Sequence, residues 1–211
     1  MYNDQSTTLK KKPIFITGIG TEIGKTIVSA VLVEKLQADY WKPVQSGELE
    51  NSDTMIVQKL ISNKKSIFHQ EAYRLTQPFS PHYSAALDGI EIDLDKINLP
   101  QTENQLIIEG AGGLMVPLNE KVLMIDLIEK LDAEVVLVSK NYLGSINHTL
   151  LSAELIRGRK IEIRSLIISG ESNLNTEEII SKYLDLAIIR VPFFNALNKS
   201  TIHEFASKLN L

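Results

Sequence analysis

From Thr17 to Thr26 the chain reads TGIGTEIGKT. Three glycines, Gly18, Gly20 and Gly24, lead into a Lys-Thr pair, and the apolar run Ile14-Phe15-Ile16 leads into the glycines. Glycine lets a backbone approach a ligand closely and adopt positive φ. A helix opening at Lys25 then aims free N–H groups and the positive end of its dipole at an anion. Lys25 supplies a point charge for terminal phosphates, and the Thr26 hydroxyl a ligand for Mg2+. The usual template has four residues between its first glycine and Gly-Lys-Thr; counting back from Gly24 finds Ile19 instead. The segment reads as a phosphate loop one residue longer between its glycines, with Thr21 and Glu22 at the apex facing a second ligand beyond the γ-phosphate. The bland alternative is a ligand-free turn from strand to helix.

A magnesium nucleotide needs carboxylates besides the threonine hydroxyl. Glu109 follows the buried run Leu106-Ile107-Ile108 and opens EGAGG, where glycines clear space for a ligand; the alternative is a carboxylate beginning an ordinary turn. Asp53, in NSD, reads equally as a metal-side group or as a helix N-terminal residue favoured by the dipole. In YWKPVQSG, Lys42 ends the second apolar run and is expected on the same sheet edge as Lys25, with Pro43 fixing an extended exit. Two lysines at one phosphate loop suit a strongly anionic reacting centre, whereas a lone lysine at a strand end is commonly a surface residue. Ser46-Gly47 offers a hydroxyl and an open backbone, or a plain turn. NYLGSINH places Gly144 before a helix starting near Ser145. Free N–H groups there suit a carboxylate, but composition alone gives only a capped helix. His82 and His148 lack the mutual spacing of metal ligands, and Trp41 reads as core.

A sheet is what can bring these groups together. Short apolar runs at 14–16, 40–41, 106–108, 135–138, 165–168 and 186–191 alternate with helical patterns at 24–38, 52–62, 122–131, 145–157, 175–184 and 200–209. Several runs lack period-2 alternation, as strands buried on both faces do. The expectation is one α/β domain over 13–211, a phosphate-loop fold with a mostly parallel sheet flanked by helices on both faces, binding ligands at the carboxyl ends of its strands. Residues 1–12 read as a mobile polar tail. Residues 63–104, with Pro78, Pro81 and Pro100, read as an irregular excursion with one short helix near 81–88. The formal net charge of -4 gives no basic field for nucleic acid or an anionic membrane. No apolar stretch reaches the length of a membrane span. The absence of cysteine excludes thiolate chemistry and fits a cytoplasmic enzyme.

Together, TGIGTEIGKT, KPVQSG, NSD, PFSPHYSA, EGAGGLMVPL and LGSINH, spanning residues 17 to 148, resemble the dethiobiotin synthetase family, ATP-dependent carboxylases that close the ureido ring in biotin synthesis. The lengthened loop is that family's own form, with Gly18 as its first glycine. The resemblance implies 7,8-diaminopelargonate, CO2, ATP and Mg2+ as reactants and cofactor. It implies nucleotide contacts from Gly20, Thr21, Glu22, Ile23, Gly24, Lys25, Thr26 and Ile27, from Asp53, from Glu109, Gly110, Ala111 and Gly112, and from the wall Val191-Pro192-Phe193. Thr26, Asp53 and Glu109 are implied as the metal and metal-adjacent groups, and Lys25 and Lys42 as the catalytic lysines. Thr21, Ser46, Gly112 and Gly113 are implied to border the substrate. Leu143, Gly144, Ser145, Ile146 and Asn147 are implied to reach the substrate carboxylate across a homodimer interface, which reverses the bland reading of that segment. There is one departure: Ser169-Gly170 stands where the family often has Asn-Asp for adenine. Serine cannot present an amide's paired donor and acceptor, so relaxed base selectivity is expected. A nucleotide-switch ATPase of the partition or septum-placement type is the competing class. Those carry an extra lysine near the loop's start, where this chain has Ile19 and Gly20.

Overall fold

The structure, a computed structural model, describes residues 11–210. The first ten residues of the expected tail lie outside the described residues. Lys12 does not hang free: its ammonium lies 2.9 Å from Asp132, and its carbonyl accepts from the Gln105 amide at 2.7 Å.

In chain order the strands are β1 (Ile14–Gly18), β2 (Asp39–Trp41), β3 (Val44–Ser46), β4 (Phe68–His69), β5 (Tyr73–Leu75), β6 (Leu106–Gly113), β7 (Glu134–Ser139), β8 (Ile163–Ser169) and β9 (Ile188–Val191). The helices are α1 (Lys25–Leu36), α2 (Asp53–Leu60), α3 (Pro81–Leu87), α4 (Met124–Lys130), α5 (Ser145–Gly158), α6 (Leu174–Leu184) and α7 (Lys199–Lys208). Seven strands form one parallel sheet in the order β4-β2-β6-β1-β7-β8-β9. Every residue of β1 and β7 is buried, which is why those runs show no alternation in the sequence. The side chains still alternate between two cores. Ile14 and Ile16 pack with Ile107, Val136, α1 and α7, while Phe15 packs with Leu137, α4 and α5.

The expected strand–helix alternation and the short helix α3 are present. Two features differ from the sequence reading. Residues 63–104 also supply β4 and β5, and β3 and β5 form a separate two-stranded parallel sheet. Strands of two or three residues carry too little pattern to read from sequence. The second difference concerns β6, which runs through the EGAGG glycines to Gly113 instead of ending before Glu109. Its register against β1 shifts: Ile16 faces Glu109, but Gly18 faces Gly113. β6 has two extra residues in that interval, as at a bulge, and its glycine run lies against Gly18 and Gly20 of the phosphate loop.

Candidate active site

β1 delivers the chain to the loop, and α1 leaves it at Lys25. Gly24, the residue before the helix, has φ +90, and a Cβ there would lie 2.3 Å from the Ser169 Oγ. Both backbone and space therefore require glycine. The Lys25 ammonium donates back to the Gly20 carbonyl at 3.0 Å, closing the loop on itself. Lys25 is 7% exposed, and burial lowers its pKa to about 8; the nearby charge of Lys42 adds to this, while Glu109 and Asp53 oppose it. The two lysines thus share one electrostatic environment, on the sheet edge where the sequence reading expects them.

Period-2 alternation carries Tyr40 and Lys42 to the same side of β2 and its exit, and Ile107 and Glu109 to that side of β6, facing α1. Lys42 is 4% exposed. Its Nζ lies 2.6 Å from Asp53 Oδ2, 3.3 Å from Glu109 Oε1 and 3.4 Å from the Gly110 carbonyl oxygen. Burial alone would favour loss of its proton; Glu109 and Asp53 outweigh that and raise its pKa. Asp53 opens α2 behind the Ser52 cap, whose hydroxyl accepts from the Met55 N–H. Burial would raise the Asp53 pKa, but Lys42, the Thr26 hydroxyl and Lys25 together lower it.

The Thr26 hydroxyl lies 2.6 Å from Asp53 Oδ1 and 3.0 Å from Glu109 Oε1. A hydroxyl has one proton and an ionised carboxylate accepts only. Thr26 therefore serves one carboxylate at a time, and three oxygens are left close together with a proton between two of them. That donor set, two carboxylates and a hydroxyl, suits a hard divalent ion that keeps waters and phosphate oxygens as its other ligands.

Sequence reasoning missed three supporting residues. Ser29 and Tyr40 donate to Glu109 Oε2 at 2.6 and 3.0 Å. Gln45 joins the turn after β3 to the start of α2: its Oε1 accepts from the Asp53 N–H at 3.4 Å, and its Nε2 donates to the Gly47 carbonyl at 3.1 Å. Available signals were a serine one helical turn after Thr26 and a tyrosine two residues before Lys42.

The remaining candidates arrange around this cluster. Thr21 and Glu22 are exposed at the loop apex, while Ile23 is buried beneath it and Ile27 is half-buried on α1. Gly112 has φ +67, and a Cβ on it would lie 2.7 Å from Val116 and 3.7 Å from the Thr21 hydroxyl, so its backbone abuts the apex. A hollow of about 390 Å³ opens there, lined by residues that include Gly20, Thr21, Gly113, Val116 and Leu151. Another hollow, of about 420 Å³, lies at the amino ends of the strands beside Lys12, Glu134 and Arg164, away from all these groups. Ser46 carries a buried hydroxyl without a hydrogen-bond partner among the described residues, as does Thr17. Val191 is buried, Pro192 and Phe193 are exposed, and the Gly170 N–H donates to the Val191 carbonyl at 2.9 Å. Leu143 to Asn147 open α5 on a different part of the carboxyl rim. Leu143 is fully exposed and Ser145 buried, and no hydrogen bond among the described residues joins this segment to Lys42, Asp53 or Glu109.

The family described as "AAA domain" matches residues 12–201. A Christiangramia forsetii protein named ATP-dependent dethiobiotin synthetase is 50% identical over 93% of this chain and 95% of its own length. A Cytophaga hutchinsonii protein of the same name is 48% identical over 94% of this chain and 97% of its own. The chain belongs to the dethiobiotin synthetase family. Membership of the dethiobiotin synthetase family fits the order of the segments just located, from the lengthened loop to the α5 start. In overall shape the chain is similar to a ParA family ATPase from Chlorobium tepidum, with a TM-score of 0.57, 14% identity, and coverage of 94% of this chain and 100% of that one. It is also similar to a MinC:MinD complex chain from Aquifex aeolicus, with a TM-score of 0.55, 14% identity, and coverage of 93% and 86%. At that identity the likeness is one of fold. The dethiobiotin synthetase relatives share both sequence and length.

Proposed function

We propose that this chain is an ATP-dependent ligase of biotin synthesis that converts 7,8-diaminopelargonate, CO2 and ATP to dethiobiotin, ADP and phosphate. The observation that carries the reading is the buried Lys42 ammonium, held between Asp53 and Glu109 behind the phosphate loop. A bare nucleotide-binding module has no use for a second buried cation at that place.

Phosphoryl transfer asks the protein for positioning and charge more than for covalent help. In the proposed sequence one substrate amine bonds to CO2 and loses a proton, giving a carbamate. A carbamate oxygen attacks the γ-phosphorus while the bond to ADP breaks, giving a carbamic-phosphoric anhydride. The second amine attacks the anhydride carbonyl, phosphate leaves, the nitrogen loses a proton, and the cyclic urea is complete. Loop N–H groups and Lys25 hold the phosphates. Lys42 neutralises the carbamate and the charge that develops as it reacts. Thr21, the Ser46 hydroxyl and the Gly112-Gly113 backbone border the diamine. Thr26, Asp53 and Glu109 would hold Mg2+, which when bound supplies positive charge beside the phosphate oxygens. Among the described residues no three His, Cys, Asp or Glu side chains form a protein cage for a metal, and an ion that shares its ligands with a nucleotide needs none.

The working unit in this reading is a cytoplasmic homodimer that engages neither nucleic acid nor membrane. Each Leu143–Asn147 segment meets the substrate carboxylate of the other copy. The exposure of Leu143, and the lack of any hydrogen bond among the described residues from this segment to its own chain's cluster, support that arrangement. The nucleoside lies by Val191-Pro192-Phe193, with Ser169 in place of an amide side chain, which supports relaxed choice among bases. Comparable steady-state rates are expected with ATP, GTP and CTP; a large preference for ATP would contradict that part. The reaction itself is tested by incubating the protein with diaminopelargonate, bicarbonate and MgATP. Phosphate release that depends on the diamine and accompanies dethiobiotin formation is expected. Hydrolysis indifferent to the diamine and stimulated by DNA or lipid would overturn the reading.

A further inference from the structure

Glu109 is 1% exposed, and its two oxygens have separate partners. Oε1 meets Thr26 and Lys42, the reacting side. Oε2 meets Ser29 at 2.6 Å and Tyr40 at 3.0 Å. Both hydroxyls are fully buried, and each directs its only proton to Oε2. Solvent does not reach either hydroxyl. We propose that Ser29 and Tyr40 are positioning residues that lock the Glu109 carboxylate so that Oε1 alone is offered to the reacting centre. The inference rests on the reading of Glu109 as a metal-side carboxylate.

Each hydroxyl is itself held. Ser29 follows Thr26 by three residues on α1, so one helix face grips both oxygens of the carboxylate. Tyr40 sits in β2 opposite Ile107 of β6, with its ring packed at 5.9 Å on Phe68. The tyrosine therefore cannot follow the carboxylate if it turns. Two donors on Oε2 also keep that oxygen from competing with Oε1 for the Lys42 ammonium. Without them the carboxylate is free to rotate about its terminal bond, and the fixed spacing between Glu109, Asp53 and Thr26 is lost.

The test uses Tyr40→Phe, Ser29→Ala and the double variant of the full chain. Mn2+ is titrated by electron paramagnetic resonance in the presence of a non-hydrolysable ATP analogue, and binding of the metal-free analogue is measured separately. Groups that orient a metal's ligands typically change its affinity roughly 10-fold or more. Mn2+ affinity is expected to fall by about that factor in each single variant and further in the double, with metal-free analogue binding unchanged. The Mg2+ concentration giving half-maximal rate is expected to rise in step. Variants that lose thermal stability yet keep wild-type Mn2+ affinity would overturn the inference, as would equal losses of metal and metal-free nucleotide. If the double variant does not fold, the single variants carry the same comparison. Wild-type protein that binds no Mn2+ with the analogue would instead overturn the metal reading of Glu109.

Discussion

Lys42 is the residue on which structure and chemistry meet most closely. A buried ammonium between two carboxylates is a compensated arrangement, and removing one member leaves the others uncompensated. Lys42→Ala is therefore expected to act twice. Turnover should fall by a barrier increase of about 3 kcal/mol or more, the usual size of one lost electrostatic contact to developing charge, while nucleotide binding through the loop and Lys25 persists. Thermal stability should also fall, and Mg2+ should restore more of it than it adds to the wild type, because Asp53 and Glu109 then lack their ammonium. Near-normal turnover in this variant would take Lys42 out of the mechanism. A melting temperature with the same response to Mg2+ in both proteins would mean that the ion and the ammonium do not share those carboxylates.

Elements are held in place by a second buried carboxylate, far from the chemistry. Glu34 of α1 accepts from the Ser62 hydroxyl at 2.5 Å, from the Ser62 and Asn63 N–H groups at 2.8 and 3.0 Å, and meets His203 of α7 at 2.6 Å. It thereby pins α1 to the end of α2 and to α7, fixing the helix that carries Thr26 and Ser29. Burial would raise its pKa, but Ser62, His203 and the two backbone N–H groups outweigh that and lower it from 4.5 to about 2. The unfolded chain then binds this proton more readily than the folded one. The stabilisation is complete above the ordinary carboxyl pKa and is lost as pH falls toward 2. A shift of that size corresponds to about 3 kcal/mol. Glu34→Gln should be less stable by about that much at neutral pH, measured by urea unfolding. The variant should lose less stability than the wild type across the acid window, by the Glu34 share alone, since Asp53 and other carboxylates with lowered pKa still titrate there; parallel acid profiles would remove Glu34 from that role.

For the whole molecule, the proposed dimer makes a prediction that one chain alone cannot satisfy. If each site takes its carboxylate contact from the other copy, two inactive proteins can repair each other. Lys42→Ala lacks the buried ammonium, and a Leu143→Asp, Asn147→Ala variant lacks the donated segment. Mixing them under conditions of subunit exchange should regenerate one intact site per mixed dimer and recover activity absent from either alone. Independent behaviour in the mixture, or a monomeric wild type by sedimentation, would confine the site to one chain.

The sequence by itself determined the order of β1, β2 and β6 to β9 with the helices between them, the phosphate loop, and the family, because those rest on local periodicity and on residue types at short spacings. TGIGTEIGKT must be a strand-to-helix turn rich in free N–H groups wherever it folds. It also offered Lys42, Asp53 and Glu109 separately, each with a bland alternative. Only the tertiary structure brings the three together, since the groups lie 11 and 56 residues apart in pairs and meet through strand pairing and the packing of α1. The register shift that lays Gly112 against Thr21 and the extension of β6 past Glu109 had no visible signature, and the spacings of Ser29 from Thr26 and of Tyr40 from Lys42 did not show that their hydroxyls meet a carboxylate. Serine in a helix and tyrosine in a strand satisfy local rules equally well with or without a carboxylate across the sheet, and which one applies depends on what another segment brings to that face.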